Sequence, residues 1–249
     1  MTPLNLNLGK LLPAPSLKEM ALATIKEAMF SKKLEQEVMY TEAALTNELG
    51  ISRTPVREAL IHLASRGLIT YFPRKGFKIK LLTEKDVENL FELRLALELA
   101  VVHHIVPGMT KAILAEIEHI QAQYRKVARK GEPIESIRAN MMLHACLAEL
   151  TENTYLIGAL EDIRDLTNLA GLRSLEVGSR TGEAIEEHER IVAEIRRQSL
   201  SGALREMESH IRTTEARVLA RIRATKKSRQ PPSTLIGGGR AGGDFTAKA

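Results

Sequence analysis

The stretch "LGISRTPVREALIHLASRGLITYFPRKGFKI", Leu49 to Ile79, decides the fold. Gly50 is placed to stop one helix, and Ser52 to cap the next two residues later. In the second helix Val56, Ala59, Leu60 and Leu63 recur at helical spacing and form a face to be buried. Pro55 falls in the first turn, where its missing N–H costs little. Arg53 and Arg57 lie one turn apart on the opposite face. "LITYF" and "FKIKLL" are β-branched or aromatic runs around "PRKG", which predicts a hairpin with a basic tip.

Upstream, "TEAALTNELG" predicts a short helix capped by Thr41 and ended by Gly50. Before it, residues Ser16 to Ser31 carry a broad apolar stripe, with Ser16 as N-cap and Glu19 at the capping-box offset. Helix, helix, turn, helix, hairpin is the order of a winged helix-turn-helix. Downstream, from Thr83 to about Ala224, every segment reads as helix. Thr83 caps the first with Asp86, Pro107 and Gly108 end it, Thr110 caps the second and Pro133 opens the third. "LRSLEVGSRTG" is expected to be a loop before the last two helices. The expected fold is mainly α: a winged helix-turn-helix followed by an all-α six-helix bundle. The expected division is an N-terminal arm (1–15), a DNA-binding module (16–82), a helical module (83–224) and a disordered basic tail (225–249).

Charge follows the same division. The net charge of the 249 residues is +5. Residues 41–82 hold seven Lys/Arg against three Asp/Glu, a balance of +4. Residues 83–220 hold 17 against 23, a balance of −6, and residues 221–249 seven against one, +6. A basic module joined to an acidic one points to a polyanionic partner for the first. No run is long and apolar enough to span a bilayer, so no membrane partner is expected. The opening residues show no signal-peptide pattern, and Cys146 is the only cysteine, which points to the reducing cytoplasm.

Double-stranded DNA is the partner the first module suits. Arg53 and Arg57 can each meet the O6 and N7 of guanine in the major groove, where a good bidentate pair discriminates by about 1–3 kcal/mol. Ser52 and Thr54 sit beside open helix N–H groups that favour a phosphate. Arg74 and Lys75, with Gly76 turning the chain, bring positive charge to the neighbouring backbone or groove. An isolated Arg-x-x-x-Arg would more simply be a solvated helix face paired with Glu48 or Glu58. Its position on the second helix of a turn-linked pair, before a basic wing, favours DNA.

In the bundle, Asn140 and His144 are spaced i and i+4 on one helix, and His188 and His210 fall on the last two. Imidazoles from facing helices can converge on a divalent metal, zinc or nickel. Three histidines around an open position could also activate water in a metal-dependent enzyme, and the whole chain could instead be a helical protein-interaction scaffold. Glu149, Glu187 and Glu189 read as a solvated helix face and provide no marked general base. His62, His103, His104 and His119 read as ordinary polar or core residues.

"SRTPVREAL" and the wing resemble the signature of GntR-type bacterial transcription regulators, and "DVENLFELRLALE" (Asp86 to Glu98) resembles the start of the FCD domain of the FadR subfamily. The resemblance covers about Leu17 to Arg223. It implies a ligand-responsive homodimer reading a palindromic operator, with base contacts at Arg53 and Arg57, contacts at Ser52 and Thr54, and a wing-tip glycine at Gly76. Ala43 stands where some relatives carry a further base-reading Arg. The family's metal set of one Asp and three His maps to Asn140, His144, His188 and His210. An amide oxygen in place of the carboxylate is expected to weaken metal binding. Leu143 replaces an aromatic residue before the first His. Arg94 is either a clamp for a small carboxylate effector, an intrahelical partner of Glu98, or an interdomain contact.

Overall fold

The computed structural model describes residues 14–129, 133–171 and 181–229. Helix α1 (Leu17–Phe30) starts at Ser16, where the capping box with Glu19 forms as expected. Helix α2 (Glu42–Leu49) is capped by the Thr41 hydroxyl and ends at Gly50 in the left-handed conformation, φ 63°. Helix α3 (Arg53–Ser65) buries Val56, Ala59, Leu60 and Leu63. Ser52 has N-cap backbone angles, yet its hydroxyl makes no capping bond, contrary to the sequence reading.

Strands β1 (Ile69–Phe72) and β2 (Gly76–Ile79) form the antiparallel hairpin, pairing Ile69 with Ile79 and Phe72 with Gly76. The segment between α1 and α2, read only as polar, adds backbone pairing to the hairpin. Tyr40 N–H donates to the Phe77 carbonyl (2.9 Å) and Phe77 N–H to the Tyr40 carbonyl (2.8 Å). Gly76 has φ 125°, and a Cβ there would lie 2.0 Å from the Tyr40 oxygen. The wing therefore closes on this segment only with glycine at 76.

Six helices follow: α4 (Glu84–Ile105), α5 (Lys111–Ala128), α6 (Pro133–Glu149), α7 (Thr154–Gly171), α8 (Thr181–Arg196) and α9 (Leu200–Arg229). Thr83 and Asp86 form the second capping box. Helix α4 packs along α9 and α7, while α5 lies against α6 and α8. One boundary differs from expectation. Helix α9 begins at Leu200 and runs through Arg229, past the expected end near Ala224. A short turn at residues 197–199 separates it from α8. The expected N-terminal arm up to residue 13, most of the expected loop (172–180) and the tail from 230 lie outside the described residues.

Most of the buried apolar side chains form one cluster, from Ala21 on α1 through Phe77 and Phe91 to Ile222 on α9, while Tyr124 packs separately with Val127 and Ile185. The main cluster passes from the winged helix into the bundle without a break. Lys26 on α1 pairs with Asp165 on α7, and Arg66 after α3 with Asp162. Beside these pairs a groove of about 550 Å³ separates α1 and α3 from α6 and α7. Cys146 is buried in α6, and burial pushes its thiol up to about 11. Among the described residues no helix is long and apolar enough to cross a membrane.

Candidate metal centre and nucleic-acid interface

The buried stripe of α3 anchors it against α1 and α2 and leaves Ser52, Arg53, Thr54 and Arg57 exposed on the opposite side. The free Ser52 hydroxyl and the exposed helix N-terminus beside it can both donate to a phosphate. Arg74, at φ 63°, and Lys75 are exposed on the turn of the hairpin, while Gly76 is buried beneath them against Tyr40. The seven residues expected to face DNA thus lie on one module, six of them open to solvent.

Arg57 does not pair with Glu58 or Glu48. Its Nε lies 3.4 Å from the Tyr71 hydroxyl and 3.4 Å from Glu42 Oε1. The Tyr71 hydroxyl in turn donates to Glu42 Oε1 in a short contact. Neither Tyr71 nor Glu42 stands out in the sequence, because they reach Arg57 from β1 and the first turn of α2.

Three histidines from three helices meet in the bundle. His144 of α6, His188 of α8 and His210 of α9 are all buried. His210 Nε2 lies 3.2 Å from His144 Nε2 and 3.3 Å from His188 Nε2. Zn–N bonds of about 2.0–2.1 Å in tetrahedral geometry put two imidazole nitrogens about 3.3 Å apart. Three nitrogen lone pairs facing one point repel unless a cation or a proton lies between them. The donor set therefore fits a divalent metal. Asn140 sits one turn before His144 on α6, and its side chain lies outside the described residues.

Carboxylates back two of the three rings. His210 Nδ1 hydrogen-bonds Glu187 Oε2 at 2.8 Å, while His144 Nδ1 lies 3.0 Å from Glu98 Oε1 in an ion-pair contact without hydrogen-bond alignment. The hydrogen-bonded pair fixes the His210 tautomer and aims its other ring nitrogen at a metal, while the Glu98 charge sits beside the His144 ring. His188 is held instead by Tyr124, whose ring centroid is 4.8 Å away; its Nδ1 has no hydrogen-bond partner. Glu187 is itself gripped by Arg217 (3.0 Å), which also reaches Glu183 (2.8 Å). Glu187 is 8 % exposed and so is not part of a solvated face, contrary to the sequence reading.

Arg94 is buried on α4, with Nε 3.3 Å from Glu98 Oε1. The intrahelical pair with Glu98, one of the three readings open to it, forms. It supports Glu98 and, through Glu98, His144. A sequence signal existed for both. Val87, Phe91, Arg94, Glu98, Val101 and Ile105 share one buried stripe of α4, so two charged residues stand where apolar ones belong.

The local field matches these roles. Burial alone would raise the Glu98 carboxyl, but His144 and Arg94 outweigh it and hold the group well below the ordinary carboxylate range. Burial likewise opposes ionisation of Glu187, and His210 and Arg217 reverse it. Burial drives His188 well below the usual imidazole value, with His210 and His144 adding to the shift. It lowers His210 to about 4 against the opposing pull of Glu187. His188 and His210 are therefore neutral at pH 7, the state a metal requires.

Comparison with known proteins agrees with this layout. Residues 17–79 match the model of the bacterial regulatory proteins of the gntR family, and residues 89–213 match the FCD domain. An HTH-type transcriptional regulator of Bacillus subtilis (strain 168), YdhC, is 28 % identical over 187 residues, covering 75 % of this chain and 84 % of its own. The gluconate operon transcriptional repressor of Bacillus licheniformis is 23 % identical over 168 residues, 68 % of either chain. Among solved structures, Escherichia coli McbR/YncC superposes with a TM-score of 0.75 at 20 % identity over 83 % of this chain and 99 % of that one. The domains and relatives are those of transcription regulators, not enzymes, which sets aside the metal-dependent enzyme. The chain belongs to the gntR family of bacterial transcription regulators, with a DNA-binding winged helix and an FCD domain on one polypeptide.

Proposed function

We propose that this regulator reads a palindromic operator as a cytoplasmic homodimer and that a small carboxylate, bound at a metal in its FCD domain, alters its hold on DNA. Residues 16–82 form the reading module and 83–224 the sensing module. Arg53 and Arg57 contact base edges, Ser52 and Thr54 contact phosphate or a base edge, and Arg74, Lys75 and Gly76 bring the wing to the neighbouring backbone. His144, His188 and His210 hold the metal, with Asn140 as a weaker fourth donor than aspartate. The three imidazoles leave a position that a carboxylate oxygen takes by displacing the weak Asn140 donor or by widening the shell. Arg94 takes part through Glu98.

The observation that supports the sensing half is the convergence of three buried imidazole nitrogens within 4.8 Å of one another, with His210 at 3.2 and 3.3 Å from the other two and carboxylates beside two of the rings. The test joins metal analysis of the purified protein with a footprint on the DNA upstream of its own gene. Zinc or nickel near one per chain is expected, together with a protected palindrome. Adding small organic acids to the metal-loaded protein should raise its melting temperature and change the footprint. Metal-free protein that gains no thermal stability from zinc or nickel would overturn the sensing half. Absence of any salt-sensitive protected site would overturn the reading half.

A further inference from the structure

We propose that Tyr71 and Glu42 are positioning residues that hold Arg57 in the pose from which it reads a base edge. Three elements meet at this guanidinium: α3 supplies Arg57, the wing strand β1 supplies Tyr71, and the first turn of α2 supplies Glu42. Both partners approach Nε, at 3.4 Å each. The two terminal nitrogens, which carry four of the five guanidinium hydrogens, are the pair that meets guanine O6 and N7. Anchoring at Nε leaves that pair available. The exposures agree: the Arg57 side chain is 56 % exposed while that of Glu42 is 21 % exposed, so the anchor is the sheltered partner. The Tyr71 hydroxyl locks the anchor by donating to the same Glu42 oxygen. An arginine already held in place loses less side-chain freedom on docking than a free one.

The proposal rests on the reading of Arg57 as a base contact. It adds that the specificity of this helix depends on a wing residue that need not touch DNA. It also ties the angle of the wing to the aim of the recognition helix.

The full-length protein is titrated against its footprinted operator and against operator variants with single base-pair changes. The proteins compared are the unaltered chain, Tyr71→Phe, Glu42→Gln, Arg57→Ala and Arg57→Ala/Tyr71→Phe. Tyr71→Phe keeps the ring and its packing and removes only the hydroxyl. Freeing one side chain at the interface should weaken operator binding about three- to tenfold. The loss should fall at one guanine position and leave binding to unrelated DNA unchanged. In the Arg57→Ala background the same change should have no further effect.

A Tyr71→Phe loss of equal size with and without Arg57 would overturn the positioning role, since the hydroxyl would then act on DNA by itself. Tighter binding by Glu42→Gln would also overturn it, showing a carboxylate that restrains Arg57 from DNA. If Arg57→Ala leaves base preference intact, the underlying reading fails and the proposal with it. If only Tyr71→Phe and Glu42→Gln are silent, the reading stands and the positioning role fails.

Discussion

A methyl group at position 76 would sit 2.0 Å from the Tyr40 carbonyl oxygen, on a backbone at φ 125°. Gly76→Ala should therefore lower stability by more than about 2 kcal/mol, read as a shift in the urea midpoint. An unchanged midpoint would contradict the described closure of the wing. The glycine was legible in the sequence as a turn, but its contact with Tyr40 was not, because the two are joined only by backbone pairing across 36 positions. Arg53 and Arg57 were legible because a helix face is a local property. Arg57's partners were not, since they come from other elements. The histidines make a pH prediction. His210 is lowered to about 4 by burial, whereas an unfolded imidazole titrates near 6.5. Between those values the unfolded chain binds more protons, so stability must fall as pH falls. The loss falls in that window because the buried ring must charge there. Urea midpoints of the metal-free protein from pH 7.5 to 4.5 check this; a flat profile would contradict the buried, neutral ring.

Helix α4 shows how a stripe can contain a site. Its buried face runs Val87, Phe91, Arg94, Glu98, Val101 and Ile105, and the two charged members support the histidines instead of filling the core. Glu98→Gln removes the charge that backs His144 and should weaken zinc binding about 10–100-fold, measured by competition with a chelator. Glu187→Gln should do the same through His210. On α6, Asn140→Asp adds a charged oxygen one turn before His144 and should tighten zinc about tenfold or more in the same assay. Helix existence and caps were legible element by element, since Ser16, Thr41, Thr83 and Thr110 each provide their capping oxygen. The end of α9 was not: "RATKKSR" has no apolar stripe to mark it as helix. Nor was the support that Glu187 gives His210, because a carboxylate one residue before a histidine reads locally as a surface charge.

The winged helix and the bundle touch through an unbroken apolar cluster and through two ion pairs, Lys26–Asp165 and Arg66–Asp162. The exposed Arg66 pair contributes about 0–1 kcal/mol, so it adds little to the apolar contact between the two halves. Asp162→Asn should therefore leave the melting temperature within about 2–4 °C of the parent, in a calorimeter scan that still shows one transition. A second transition would mean the ion pairs, not the apolar cluster, join the halves. That seamless cluster has a consequence for how information crosses the molecule. If both halves open only together, ligand bound among α6, α8 and α9 stabilises every amide that exchanges by global opening. Those amides include the buried face of α3, which no metal touches. Zinc should then slow hydrogen–deuterium exchange at Val56, Leu60 and Leu63 by the same factor as at Ile191 and Ile211, so the recognition helix registers the occupancy of a site it does not contact.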